Sequence, residues 1–419
     1  MKKLTKITTL LLIFIFAIFS LIGCNLNYFS SNKKSNNIST SDDSNEDINS
    51  RFENANNQLN KDTTKNGTPA VTSSSNGNGV NIVDKKQTNN FSTSSPQVAV
   101  EDKSELYNLI KKNVDEGNDT VIKSKSTTLE ELTLLAAKVP EENGYSGYIS
   151  SYEYGSKGNT LYLHYNYKDD KDTYLSKLNK VKGKVNAVVN SIIKDGMNDF
   201  QKELAIHNYV INNCAYDYAN LKNNSLPGDA FTAYGILMNQ SGVCQGYSEA
   251  MYRLLNASGV KALIVTGTAN GVPHAWDIAY IGGAPYQVDA TFDDPISEQG
   301  QILTYNYLNL TDDEMSRDHS YNKNNYPSCN STRFNYFVYN NLIANNHSDF
   351  YNIIKKGLQE KQKTIMCKTS KYDNNTFNPK TLFDVVSDNR NLNYVNIKQG
   401  LSYRYDPNSL VMEISVKYK

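Results

Sequence analysis

The sequence predicts an α+β fold: a helix that begins at a cysteine, packed on an antiparallel sheet and flanked by two small α/β modules. Three observations predict it. A helical apolar period starts just after Cys244, strand-like runs with a Gly-Gly turn follow it, and two segments outside this region resemble each other. The implied divisions are an export segment at 1–23, a tether at 24–99, a first module at 100–175, a central domain at 176–328 and a second module at 329–419.

Lys2, Lys3 and Lys6 precede the almost wholly apolar run Ile7 to Ile22. That run is short for a membrane-spanning helix and reads as a signal segment. It ends Leu21-Ile22-Gly23-Cys24, which resembles the bacterial lipoprotein processing box. The resemblance implies diacyl lipidation of Cys24, a stable membrane anchor and a location on the extracytoplasmic face. From Asn25 to about Ser95 the chain is rich in Ser, Asn, Thr, Asp and Lys. Such a composition cannot bury enough apolar surface to fold and reads as a tether. About 70 residues of flexible coil reach on the order of 45 Å, enough to project from a membrane into a cell wall.

In the central domain, Tyr247, Met251, Leu254 and Leu255 recur at the spacing of one buried helix face, and Ser258-Gly259 ends the pattern. Cys244 therefore lies in or just before the first helical turn, where free N–H groups and the positive dipole end favour a thiolate. Gly242 and Gly246 keep bulk away from it. Ala262 to Thr266, His274 to Tyr280 and Tyr286 to Thr291 read as strands, with Ile281-Gly282-Gly283-Ala284 as a hairpin turn. Centring the turn on Gly282-Gly283 sets Trp276 opposite Asp289 and His274 opposite Thr291, all on one face. His274 and Asp289 are then diagonal neighbours with Cβ atoms about 7–8 Å apart. Cys244, His274 and Asp289 supply the nucleophile, base and base-orienter of thiol acyl transfer.

These residues resemble the transglutaminase-like superfamily, whose papain-related fold carries Cys, His and Asp in this chain order. The strongest parts are Gly242-Val243-Cys244-Gln245-Gly246-Tyr247, His274-Ala275-Trp276 and Val288-Asp289-Ala290-Thr291-Phe292-Asp293-Asp294. Weaker flanks are the helix from Phe200 to Tyr209 leading to Tyr216-Asp217, and Tyr307 to Asp312 closing with Asp318-His319. Asn208 and Asp277 depart from the Asp and Asn that bacterial relatives often carry there. The resemblance implies attack of Cys244 on an amide carbonyl of a cell-wall or surface protein or peptide, with His274 moving the proton and Asp289 holding the imidazole. The thioester then passes to an amine or to water. The oxyanion would be met by the Cys244 backbone N–H and one further donor among Gln245, Tyr216 and Trp276. A non-catalytic binding protein on the same fold is the remaining alternative, and the intact triad speaks against it.

The formal net charge is zero, which argues against a nucleic-acid partner. No phosphate-binding glycine loop, metal constellation or cofactor motif is present in the sequence. Asp293-Asp294 and Asp312-Asp313 read as solvated turns or helix caps. Cys214, Cys329 and Cys367 lack metal-ligand spacing and, in an exported protein, could form a disulfide with no pairing fixed. The sequence is silent on oligomeric state.

The flanking segments begin Tyr107-Asn108-Leu109-Ile110-Lys111-Lys112 and Tyr351-Asn352-Ile353-Ile354-Lys355-Lys356. They end in the alternating runs Leu161 to Lys168 and Met412 to Lys419. Each reads as a short helix, a strand, a second helix (near Leu129 to Ala137 and near Pro379 to Val386) and two closing strands, as if one module were used twice. The chain holds 30 tyrosines, many in these strands, which suggests half-exposed sheet faces; these suit stacking on sugars or peptides, but tyrosine is also simply what sheets prefer, and the latter is the favoured reading.

Overall fold

A computed structural model describes residues 84–88, 91, 97–295, 304–370 and 401–418. The export segment, Cys24, most of the expected tether and the helix expected near Pro379 to Val386 lie outside the described residues. Among those described, no helix is long and apolar enough to cross a membrane.

The first module comprises β1 (Asp84–Gln87), β2 (Val98–Ala99), α1 (Lys103–Asp115), β3 (Thr120–Lys123), α2 (Leu129–Glu142), β4 (Ile149–Lys157) and β5 (Thr160–Tyr167), with sheet order β1-β4-β5-β3-β2. The Asp102 carboxylate accepts from the N–H groups of Ser104 and Glu105 and starts α1, which buries Leu106, Ile110 and Val114. A reciprocal Thr128–Glu131 capping box starts α2. Both helices cover the sheet face formed by Tyr152, Leu161, Leu163 and Tyr165. These two tyrosines are buried and build the module's core, whereas Tyr154 and Tyr167 of the same strands, like Tyr403 and Tyr405 of the second module, are half-buried.

The edge strands correct the end of the tether as well. Asp84–Gln87 pairs parallel with β4, and Val98–Ala99 pairs parallel with β3. Edge pairing engages backbone groups, which hydropathy does not score. Gly155 shows how closely that edge fits, because a Cβ there would meet the Thr88 carbonyl oxygen at 2.0 Å.

The central domain starts with α3 (Lys171–Ile192), which crosses the expected division at 175/176. Its Tyr174 hydroxyl donates to the Val114 carbonyl in the first module, while Val181, Val185 and Val188 enter the central core. Next come α4 (Asp199–Asn213), β6 (Ala215–Tyr216), β7 (Ser241–Gly242) and α5 (Cys244–Ala257). They are followed by β8 (Ala262–Ala269), β9 (Val272–Ile281), β10 (Ala284–Val288), β11 (Leu308–Leu310) and β12 (His319–Ser320). The last five strands form an antiparallel sheet in the order β11-β10-β9-β8-β12. Helix α5 is buried without a break from Cys244 to Met251. Its apolar side packs with α3, α4 and the sheet in one core that includes Tyr247, Met251, Leu254, Leu255, Ala279 and Val288.

The second module holds β13 (Ile343–Ala344), α6 (His347–Gln359), β14 (Thr364–Thr369), β15 (Leu401–Asp406) and β16 (Val411–Val416) in the order β13-β14-β16-β15. Apart from β1, the first module has the same order and the same senses: a short parallel edge strand, a helix, a strand, and a hairpin whose second strand lies innermost. Phe350, Ile354 and Leu358 repeat the buried spacing of Leu106, Ile110 and Val114.

The cysteines are not bridged. Cys214, Cys329 and Cys367 are free and buried in three separate apolar clusters, which corrects the expected disulfide.

Candidate active site

Three local structures bring the triad together. Cys244 is the first residue of α5, and Val243 ahead of it provides no side-chain cap. Backbone N–H groups of the first turn are therefore left for a ligand or anion. The segment Ala230–Thr232 runs against this helix start, and Val243 N–H donates to the Ala230 carbonyl at 2.9 Å. A Cβ at Gly242 would come within 2.6 Å of that carbonyl oxygen, and one at Gly246 within 2.8 Å. The two glycines around the cysteine thus allow a close backbone approach.

The β9–β10 register is the one the Gly-Gly turn predicts, with Ala284 opposite Ile281 and Val288 opposite Asp277. The strand stops at Val288, and Thr291 is in a turn instead of a strand. Asp289 causes the stop: its Oδ1 accepts from the N–H groups of Thr291 at 2.8 Å and Phe292 at 3.1 Å, bending the chain. Its Oδ2 faces His274 Nε2 at 2.7 Å. The other ring nitrogen, Nδ1, is left for Cys244, which lies close enough to act on the His274 charge.

The electrostatics follow from this arrangement. Burial alone would lower the His274 pKa, but the charges of Asp289 and Cys244 outweigh it and raise it to about 10. Burial would raise Asp289, yet His274 and then His319 hold its carboxyl well below the usual carboxylate range. Cys244, His274 and Asp289 are at most 5 % exposed, so the charges interact in a poorly hydrated environment.

Of the three oxyanion candidates, Trp276 is otherwise engaged, whereas the Gln245 amide has a second N–H beyond the one that reaches Glu249. Trp276 Nε1 donates to Gln287 Oε1 at 2.7 Å, which uses its one donor. Gln245 Nε2 reaches Glu249 Oε1 one turn further along α5 at 3.4 Å. Tyr216 is brought beside the nucleophile by the parallel β6–β7 pair, in which it faces Gly242. Burial first, then the neighbouring Cys244, Asp289 and Asp217, raise its pKa well above the ordinary phenol value and keep it a donor.

The sequence reading missed His319. Strand β12 pairs with β8 at the sheet edge, His319 opposite Ala269. That pairing sets His319 Nε2 3.0 Å from Asp289 Oδ2. The signal available was the Asp318-His319 pair in the downstream flank. His274, Asp289 and His319 have ligand atoms within 4.8 Å of one another, a spacing also compatible with a metal ion, although here both histidines meet the carboxylate by hydrogen bonds.

The acidic pairs are corrected too. Asp293 is fully buried, faces His207 Nε2 at 3.0 Å and accepts from Thr304 and the Tyr307 N–H. Asp294 accepts from the Tyr247 hydroxyl at 2.6 Å. Asp312 accepts from Gln287, Tyr321 and the Cys329 N–H, while Asp313 is exposed. Asp293 and Asp294 fasten the turn after Asp289 to α4 and α5, Asp312 ties β10 to the segment around Cys329, and hydropathy alone cannot tell such groups from solvated ones.

The first module also holds helix α5. Gly147 N–H donates to Glu249 Oε1 at 3.1 Å, and the Arg253 guanidinium to the Gly144 carbonyl at 2.6 Å. A Cβ at Gly147 would meet the Phe231 carbonyl at 2.2 Å, so the contact is tight.

Residues 186–290 match the family model described as the transglutaminase-like superfamily. The central domain is accordingly an α+β, transglutaminase-like core. No curated protein matches the chain. Among solved structures, one described as a TGase is 20% identical, with 48% of this chain and 61% of that one covered and a TM-score of 0.26. The chain thus spans about three fifths of that structure's length. Another, described as "a putative cysteine protease from Cytophaga hutchinsonii", is 24% identical over 29% of this chain and 41% of that one, with a TM-score of 0.22. A third, "a putative protease from Parabacteroides distasonis", is 12% identical over 40% of this chain and 39% of that one, with a TM-score of 0.19.

Proposed function

We propose that this chain is a thiol enzyme acting by acyl transfer on amide bonds of cell-wall or surface proteins or peptides. One observation carries the reading: a cysteine at an uncapped helix start lies within electrostatic reach of a histidine whose Nε2 is held by a buried aspartate. In the proposed cycle, the Cys244 thiolate attacks the amide carbon and the oxyanion is met by the Cys244 N–H and by a second donor from the Tyr216 hydroxyl or the Gln245 amide. His274 gives its proton to the departing amine as the C–N bond breaks, leaving a thioester. An incoming amine or water then loses a proton to His274, the C–S bond breaks and the thiolate is restored. Asp289 keeps Nε2 protonated so that Nδ1 faces the sulfur. A peptidase or amidase reading differs only in taking water as acceptor. The lipid on Cys24, the extracytoplasmic location and the wall substrate rest on the sequence alone.

Alkylation of the purified chain by iodoacetamide across pH 4–9 tests the reading. Rapid labelling at Cys244 is expected to persist well below the ordinary thiol range, to vanish in Cys244→Ala and to slow at least tenfold in His274→Ala. An ordinary thiol profile centred near pH 8.5 would reject an activated thiolate. Ammonia release from glutamine-bearing peptides, with and without a primary amine, separates transfer from hydrolysis.

A further inference from the structure

The catalytic carboxylate has a second imidazole on the same oxygen. Asp289 Oδ2 faces His274 Nε2 at 2.7 Å and His319 Nε2 at 3.0 Å. On its other side, His319 Nδ1 faces Asp318 Oδ1 at 2.6 Å, and the Tyr307 hydroxyl donates to Asp318 Oδ2. The His319 side chain is 0 % exposed and Asp318 is 4 % exposed, so water does not compete for these bonds. The rings of His274, Trp276, Phe292 and Tyr307 surround the imidazole.

Counting donors decides what the ring carries. Asp289 Oδ1 takes two backbone N–H groups, its Oδ2 takes the His274 N–H, and Asp318 Oδ2 takes a phenol. Every other partner of the two carboxylates is a donor, so each acts as an acceptor. A neutral imidazole donates from one nitrogen only. His319 satisfies both carboxylates when it bears both protons.

We propose that His319, held cationic between Asp289 and Asp318, is a positioning residue that fixes the Asp289 carboxylate and offsets part of its charge as felt by His274. An unopposed Asp289 would bind the His274 proton too firmly for easy delivery to a leaving amine. The titratable groups facing His319 are Asp289 and His274 from the hairpin, and Tyr307 and Asp318 from the segment that leads to β12. This inference rests on the thiolate–imidazolium reading above.

His319→Gln keeps a donor toward Asp289 but removes the charge. Asp318→Asn keeps the His319–Asp289 bond and removes the carboxylate that holds the second proton. In each, the alkaline step of the Cys244 alkylation profile, where His274 loses its proton, is read by extending the profile to about pH 11 and is expected to move up by at least half a pH unit. Thermal melts check folding, and if His319→Gln fails to fold, Asp318→Asn alone decides. An alkaline step unmoved or lowered in a folded variant overturns the role of His319 while leaving the thiol enzyme intact. A wild-type profile with no acid-shifted reactivity overturns the enzyme reading instead.

Discussion

Asp289→Asn is expected to lower turnover by roughly three to four orders of magnitude, the scale seen when a triad's orienting carboxylate becomes an amide. The environment of Asp289 gives a specific reason. One oxygen accepts two backbone N–H groups and the other accepts two histidine N–H groups. An amide placed here must turn its NH2 toward donors whichever way it is flipped. With the NH2 toward the histidines, His274 must change tautomer, so Nδ1 gains a proton and can no longer take one from the thiol. With the NH2 toward the turn, the bend that ends β10 loses its acceptor. The alkylation profile should revert to that of an ordinary thiol, and the melting temperature should fall. Retention of activity within tenfold of wild type would remove Asp289 from the mechanism.

Asp277→Asn is expected to stabilise the protein, increasingly so as the pH rises. Asp277 is buried on β9 on the side that meets α5, within 3.2 Å of the Ser248 hydroxyl. Burial first, and the nearby Asp289 charge, push its pKa well above the normal value, against the smaller effect of Ser248. An unfolded chain releases this proton near pH 4, whereas the folded chain keeps it. Folding therefore takes up a proton above that pH, and stability falls by about 1.4 kcal/mol per pH unit until the folded group ionises. An asparagine has no proton to take up. Urea unfolding at pH 5 and pH 8 measures the effect: the gain over wild type should be larger at pH 8 than at pH 5. An equal gain at both would mean that the carboxylate is already charged in the fold. The same sign applies to Glu249 and Glu203, raised to about 7 and about 8 chiefly by burial, over narrower windows.

The parts of the fold legible in the sequence were those set by local rules. The spacing after Cys244 gives helix α5 its buried face, and the Gly282-Gly283 turn fixes a register that β10 carries to Val288, next to Asp289. What stayed hidden depends on long-range contacts. His319 enters the site from a two-residue strand that has no periodicity to betray it. Asp293, Asp294 and Asp312 are fully or nearly buried because donors from distant segments meet them, which composition cannot reveal. Strand β1 is polar and is held at the sheet edge by its backbone.

The cradle around Asp289 separates the extent of the similarity from the extent of the machine. The family-matched span closes at residue 290, one position past the carboxylate. Both amides that hold that carboxylate, its second imidazole and the turn at Gly147 that steadies the catalytic helix lie beyond either limit. A domain trimmed to its recognisable core would retain all three triad residues and lose the scaffold that makes them a triad.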